Sequence, residues 1–193
     1  MNRRALVLAV LLLATAALPL SASQFERLPF DEVARQASYI VRGTLGQTWS
    51  AWDDERQVIY TYATIRVNRY FGELTGPDTL VVREVGGLVD GYRQEAIGFP
   101  VLREGEEVVL MLSQWEGSND YRIHAFNQGK YLVKNRGGMD VLVEDPHKQG
   151  DERLSRPRFE TNGIHDGQVL TIREFAEMVN AAREGRSFER PRQ

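Results

Sequence analysis

Apolar and polar residues alternate with a period of two along residues 58–71 (VIYTYATIRVNRYF), and shorter stretches of the same kind recur down the chain. Ile59, Ala63, Ile65, Val67 and Phe71 fall on one side, and Tyr60, Tyr62, Thr64, Arg66, Asn68 and Tyr70 on the other. That period, built from β-branched and aromatic residues, predicts a strand with one face in a core. At about 3.3 Å per residue it is long for a strand, so it is expected to bend or coil as barrel strands do. Upstream, Phe30, Val33, Ala34 and Ala37 recur at helical spacing after Pro29, with Asp31 and Glu32 where the dipole favours acids; this predicts a short helix. Further strands are predicted at residues 39–45, 79–85, 107–112, 121–126, 130–133 and 139–143.

The punctuation fits a mainly β chain. Gly43 inside the first strand marks a bulge or a close backbone approach. Residues 48–57 (TWSAWDDERQ) are polar and turn-rich around Asp53-Asp54, which reads as a hairpin connection and puts Trp49 and Trp52 in a loop. Gly86-Gly87 stops the third strand where positive φ is needed, and the glycine-punctuated residues 88–100 leave room for one short strand. Residues 145–166, charged and carrying Pro146 and Pro157, read as a long polar loop. Thr171 with Glu174 three residues on forms a capping box before the stripe Ile172, Phe175, Met178, Val179 and Ala182, and Gly185 ends that helix. A stripe of this kind predicts docking on the barrel, since isolated helices of this length are marginal in water. The expected fold is therefore a small antiparallel Greek-key, OB-like barrel with a short N-terminal helix and a C-terminal helix packed on it. One domain would cover residues 24–185, and residues 186–193 would form a disordered tail.

Composition adds a compartment. Arg3 and Arg4 precede an apolar run from residue 5 to 20, and Ser21-Ala22-Ser23 then offers small residues for cleavage, so residues 1–23 read as a secretory signal peptide. The run is short for a membrane anchor and contains Pro19. With no cysteine the exported chain would have neither disulfides nor a lipoprotein anchor, which points to the periplasm or the medium. The net charge is −3, and losing Arg3 and Arg4 makes the rest more acidic, which argues against nucleic acid as the main partner.

Candidate chemistry is sparse. His124, His147 and His165 share no metal-ligand spacing, so neither a metal site nor any cofactor is expected. No Gly-x-Ser-x-Gly elbow occurs, and Asp53-Asp54 and Glu106-Glu107 sit where acids are expected for solvation. Gly86-Gly87 lacks the lysine and serine of a phosphate loop. The aromatics carry more. Trp49 and Trp52, with Tyr60, Tyr62 and Tyr70 on one strand face, could form a stacking platform; alternatively the tyrosines pack beneath the terminal helices.

The order Ala37-Ser38-Tyr39-Ile40-Val41-Arg42-Gly43-Thr44, the long strand ending Val67-Asn68-Arg69-Tyr70-Phe71-Gly72, Thr79-Leu80-Val81-Val82 and then Glu104 to Leu112 (EGEEVVLML) resemble the OB-fold of tissue inhibitors of metalloproteinases and netrin-type modules. With the Gly-Gly turn and the Gln128-Gly129-Lys130-Tyr131 step, the chain is also similar to cysteine-free secreted bacterial domains of uncharacterised function, some associated with matrixin-like metalloproteases. The resemblance implies an exported protein partner such as a protease. It does not bring the inhibitors' mechanism, because that uses an N-terminal cysteine on the target zinc. The function expected is a non-catalytic exported binding module for another exported protein. The alternatives are an oligosaccharide- or oligonucleotide-binding OB domain and, third, a metal-dependent hydrolase using the loop histidines.

Overall fold

The computed structural model describes residues 28–145 and 170–188. The expected signal segment, the polar loop beyond Asp145 and the tail beyond Phe188 lie outside the described residues, as do His147 and His165. In chain order the elements are α1 (Phe30–Gln36), β1 (Tyr39–Trp52), β2 (Ile59–Tyr70), β3 (Thr79–Val85), β4 (Gly87–Val89), β5 (Tyr92–Gln94), β6 (Glu107–Gln114), β7 (Tyr121–Ile123), a 3-10 turn (Phe126–Gly129), β8 (Lys130–Arg136), β9 (Met139–Glu144), β10 (Leu170–Thr171) and α2 (Ile172–Arg183).

Strands β1, β2, β3, β7 and β6 follow one another in the sheet, and β6 pairs back onto β1, so five strands close a small β-barrel consistent with an OB-like fold. A ring of five cannot alternate direction throughout. One neighbouring pair must be parallel, and here it is β3 and β7, joined at the single register Val82↔Tyr121. The expectation of a wholly antiparallel barrel is corrected by that parity. Side chains fill the short seam: a Glu84 carboxyl oxygen accepts from the Ile123 amide, and the Trp115 indole donates to the Arg83 carbonyl at 3.1 Å.

Two cores result. Val41, Leu45, Ile65, Val82, Leu110 and Ile123 fill the barrel, with Ala63, Leu80 and Val108. Outside the wall, Ile40, Phe71, Val109, Met111, Val133 and Leu142 meet Val33 and Ala34 of α1 and Phe175, Met178 and Val179 of α2. Strand β6 lies between the cores, which is why Val108 to Leu112 are all buried and its sequence shows an unbroken apolar run. Helix α2 starts at a capping box in which Thr171 accepts from the Glu174 amide at 3.2 Å and Glu174 accepts from the Thr171 amide at 2.9 Å. Phe175 meets the edges of Phe30, Phe71 and Tyr131, with ring centroids 5.6, 5.3 and 5.7 Å away. Phe175→Leu, which keeps the burial but loses those ring contacts, is expected to cost about 1–2 kcal/mol. Thermal denaturation should show this as a melting temperature several degrees lower; an unchanged value would mean the rings add nothing beyond burial.

The expected strand at 121–126 stops at Ile123 ahead of the 3-10 turn, residues 88–100 supply parts of two short strands instead of one, and β8 runs on to Arg136. β1 and β2 differ more consequentially from the expectation. β1 runs on to Trp52, so residues 48–52 are strand and the turn is confined to residues 53–58. Its pairing with β2 slips between Leu45 and Thr48 and again between Arg42 and Gly43, where Asn68 is the extra residue on β2. Gly43 sits at the second slip because a Cβ there would meet the Arg66 carbonyl at 2.4 Å. Beyond this bulge the faces exchange. Val67, ahead of it, keeps the side of Ala63 and Ile65, whereas past it Tyr70 turns toward the barrel core and Phe71 enters the helix layer.

Candidate binding face

The helices cover β1, β6, β8 and β9, which leaves the outward face of β2 and β3 free of them. Tyr60 and Tyr62 lie on this face, so the alternative that they pack beneath the terminal helices does not apply. Trp49 of β1 is directly opposite Tyr62, and Tyr62 directly opposite Arg83 of β3. The Trp49 and Tyr62 rings stack at 5.3 Å and 6°, and Trp49 stays 39% exposed. Next to them, the Arg83 guanidinium stands over Tyr60 at 4.9 Å and over Trp115 at 4.5 Å, while Tyr60 meets the edge of Trp115 at 5.9 Å. Arg122 of β7 reaches Trp115 from 5.3 Å. Trp49, Tyr60, Tyr62, Arg83, Trp115 and Arg122 thus form one aromatic and cationic wall.

The other two aromatics of the expected platform are elsewhere. Trp52 has the opposite parity to Trp49 and meets Tyr92 of the β4–β5 hairpin at 5.8 Å. That hairpin is tied down where the Ile59 amide donates to Gln94 Oε1 at 2.7 Å and the Thr61 hydroxyl to the Gly86 carbonyl at 2.7 Å. Tyr70, redirected by the bulge, meets Tyr39 at 5.3 Å and donates to the Pro77 carbonyl; burial raises its hydroxyl above the usual phenol range.

Arg83, Trp115 and Arg122 did not emerge from the sequence. Arg83 could have been found, since it alternates with Leu80 and Val82 and so must face outward. Its meeting with Trp115 has no local signal, because only closure of β3 onto β7 brings them together.

His124 lies half-buried at the end of β7, its Nδ1 2.7 Å from the Ser113 hydroxyl. Burial, aided by the nearby Arg122 charge, lowers its pKa below the usual imidazole value. Among the described residues its Nε2 is buried without a hydrogen-bond partner, so the pair is an inter-strand link with no third, orienting group. No group of three or more His, Cys, Asp or Glu among the described residues could hold a metal ion, and no helix among them is long and apolar enough to cross a membrane.

Fold and wall together define a small β-barrel with an aromatic and arginine face. Comparison with family models, curated proteins and solved structures finds no match to the chain. The likeness to the metalloproteinase-inhibitor fold therefore rests on the residues quoted for it alone.

Proposed function

We propose that the chain is an exported, non-catalytic binding module that engages another exported protein through the β2–β3 wall. The carrying observation is the wall's composition: tryptophan, tyrosine and arginine are the residues that concentrate binding energy at protein interfaces, and six of them adjoin here. Its position agrees with an OB-like reading of the barrel, in which the second and third strands and the loops beside them carry the ligand. An oligosaccharide is the second reading, favoured by the partly exposed Trp49 indole, on which a sugar ring could lie. It is the weaker one, because Tyr62 covers one Trp49 face and Arg83 stands over Tyr60 and Trp115, which leaves little ring surface for stacking.

A photo-reactive amino acid at Tyr62 should give one discrete protein adduct in the exported fraction, and the same group at exposed Asn180 on α2 should give none. Trp49→Ala should abolish the adduct while shifting stability by less than about 1 kcal/mol, since the ring is partly solvated. No adduct from Tyr62, or the same adduct from both positions, would refute the reading. Wall-dependent retention on a glycan array without an adduct would replace it with the second.

A further inference from the structure

Resting on that reading of the wall, we infer that the partner presents an acidic segment, an extended run rich in Asp and Glu, to Arg83 and Arg122 beside Trp115. The chain carries a net charge of −3, yet the outward positions of β2, β3 and β7 hold Arg66, Arg83 and Arg122. The nearest carboxylate to Arg83 is that of Asp120 at 3.9 Å from a terminal nitrogen, beyond hydrogen-bond reach. Arg66 and Arg122 make no salt bridge among the described residues. Arg42, by contrast, is held by Glu107 and Asp140 at 2.6 and 2.7 Å.

The rings determine which part of each guanidinium is on offer. An arginine lying over an aromatic ring spends its π-face there and keeps the N–H edge available, and that edge matches a carboxylate in a two-point bond. Arg83 lies against two rings set at 85° to each other, so it faces one and turns an edge to the other. With Nε buried, its terminal nitrogens are what is left for a carboxylate. Arg122 lies over one ring and is exposed. A single-stranded nucleic acid would also bring negative charge, but it needs uncovered ring faces for its bases. Tyr62 takes one face of Trp49, and Arg83 lies against Tyr60 and Trp115, which cuts the ring surface left for bases. Carboxylates need only the edges. Trp49, Tyr62 and Arg83 lie in one row across three adjacent strands, so the row spans about 10 Å and takes an extended peptide of roughly three or four residues, with Trp115 and Arg122 continuing it.

The test is a titration of the full chain, followed by tryptophan emission, with a poly-glutamate peptide of about ten residues, oligothymidylate and polygalacturonate. The peptide should perturb the emission and weaken roughly tenfold between low salt and about 0.3 M. Arg83→Gln with Arg122→Gln should lose about tenfold or more in affinity, and Arg136→Gln at the exposed end of β8 should stay within about twofold of the parent. If Arg83→Gln fails to fold, the exposed Arg122→Gln alone should still lose several-fold. No peptide binding at low salt, or equal affinity in parent and arginine variants, overturns the inference. So does preference for oligothymidylate or polygalacturonate over the peptide. A Tyr62 adduct that persists when the peptide fails overturns this inference alone; loss of both overturns the binding role of the wall as well.

Discussion

Lys130→Met is expected to destabilise the folded barrel by about 3–5 kcal/mol at neutral pH. Lys130 opens β8 with a fully buried side chain, and its Nζ donates to the Val101 carbonyl, to Glu106 at 2.6 Å and to Asp145 at 2.8 Å. One cation thereby joins the segment before β6, the first residue of β8 and the residue after β9. All three ammonium protons have acceptors, which is the condition for tolerating a buried charge. Methionine fills similar volume but leaves Glu106 and the buried Asp145 without the cation between them. Replacing the carboxylates too, with Glu106→Gln and Asp145→Leu, should therefore recover much of the loss. Urea denaturation measures both effects; a parental midpoint for Lys130→Met would show that the node contributes nothing net.

Glu84→Gln should do the opposite and stabilise the barrel at alkaline pH. Glu84 is 3% exposed at the β3–β7 seam, and burial, opposed by the Ile123 amide and the Arg122 charge, raises its carboxyl from 4.5 to about 8. Below about pH 4.5 the group is protonated both folded and unfolded, so it adds no pH dependence. From there to about pH 8 the unfolded chain ionises while the folded one keeps its proton, and stability falls by about 1.4 kcal/mol per pH unit. Above pH 8 the full cost, of the order of 5 kcal/mol, is present. Glutamine keeps the acceptor for Ile123 and cannot ionise, so the variant's advantage should grow from near zero at low pH to several kcal/mol above pH 8. Urea midpoints across that range test it. Parallel stability curves for parent and variant would mean that Glu84 does not titrate between the two states.

Legibility in the sequence followed hydrophobic contrast. Residues 59–67 alternated cleanly because Ile59, Ala63 and Ile65 face a core and their neighbours do not. Period two fails at Asn68, because a bulge adds a residue without a local composition signal, and simple alternation therefore groups Tyr70 with Tyr60 and Tyr62 instead of with the barrel core. The end of β1 looked like loop for a different reason. At Ser50 the strand face meets the Thr61 hydroxyl at 3.1 Å and the backbone of Gly87, a polar contact that leaves no apolar stripe to read. The wall was half visible: Trp49, Tyr60 and Tyr62 follow from the β1–β2 hairpin. Arg83, Trp115 and Arg122 meet only through closure of the five-strand ring.

The position of β6 between two cores governs the order in which the chain can fold. β1 meets β2 across the short turn at residues 53–58, but its other neighbour, Glu107–Gln114, is synthesised roughly 60 residues later. Until that segment arrives, Ile40 and Val41 on opposite faces of β1 both lack their covering layer, and β1 keeps an unpaired edge. Neither core can condense first and template the other, since both need the same strand. Folding should therefore proceed late and in one cooperative step, with the β1–β3 meander open to edge pairing throughout translation.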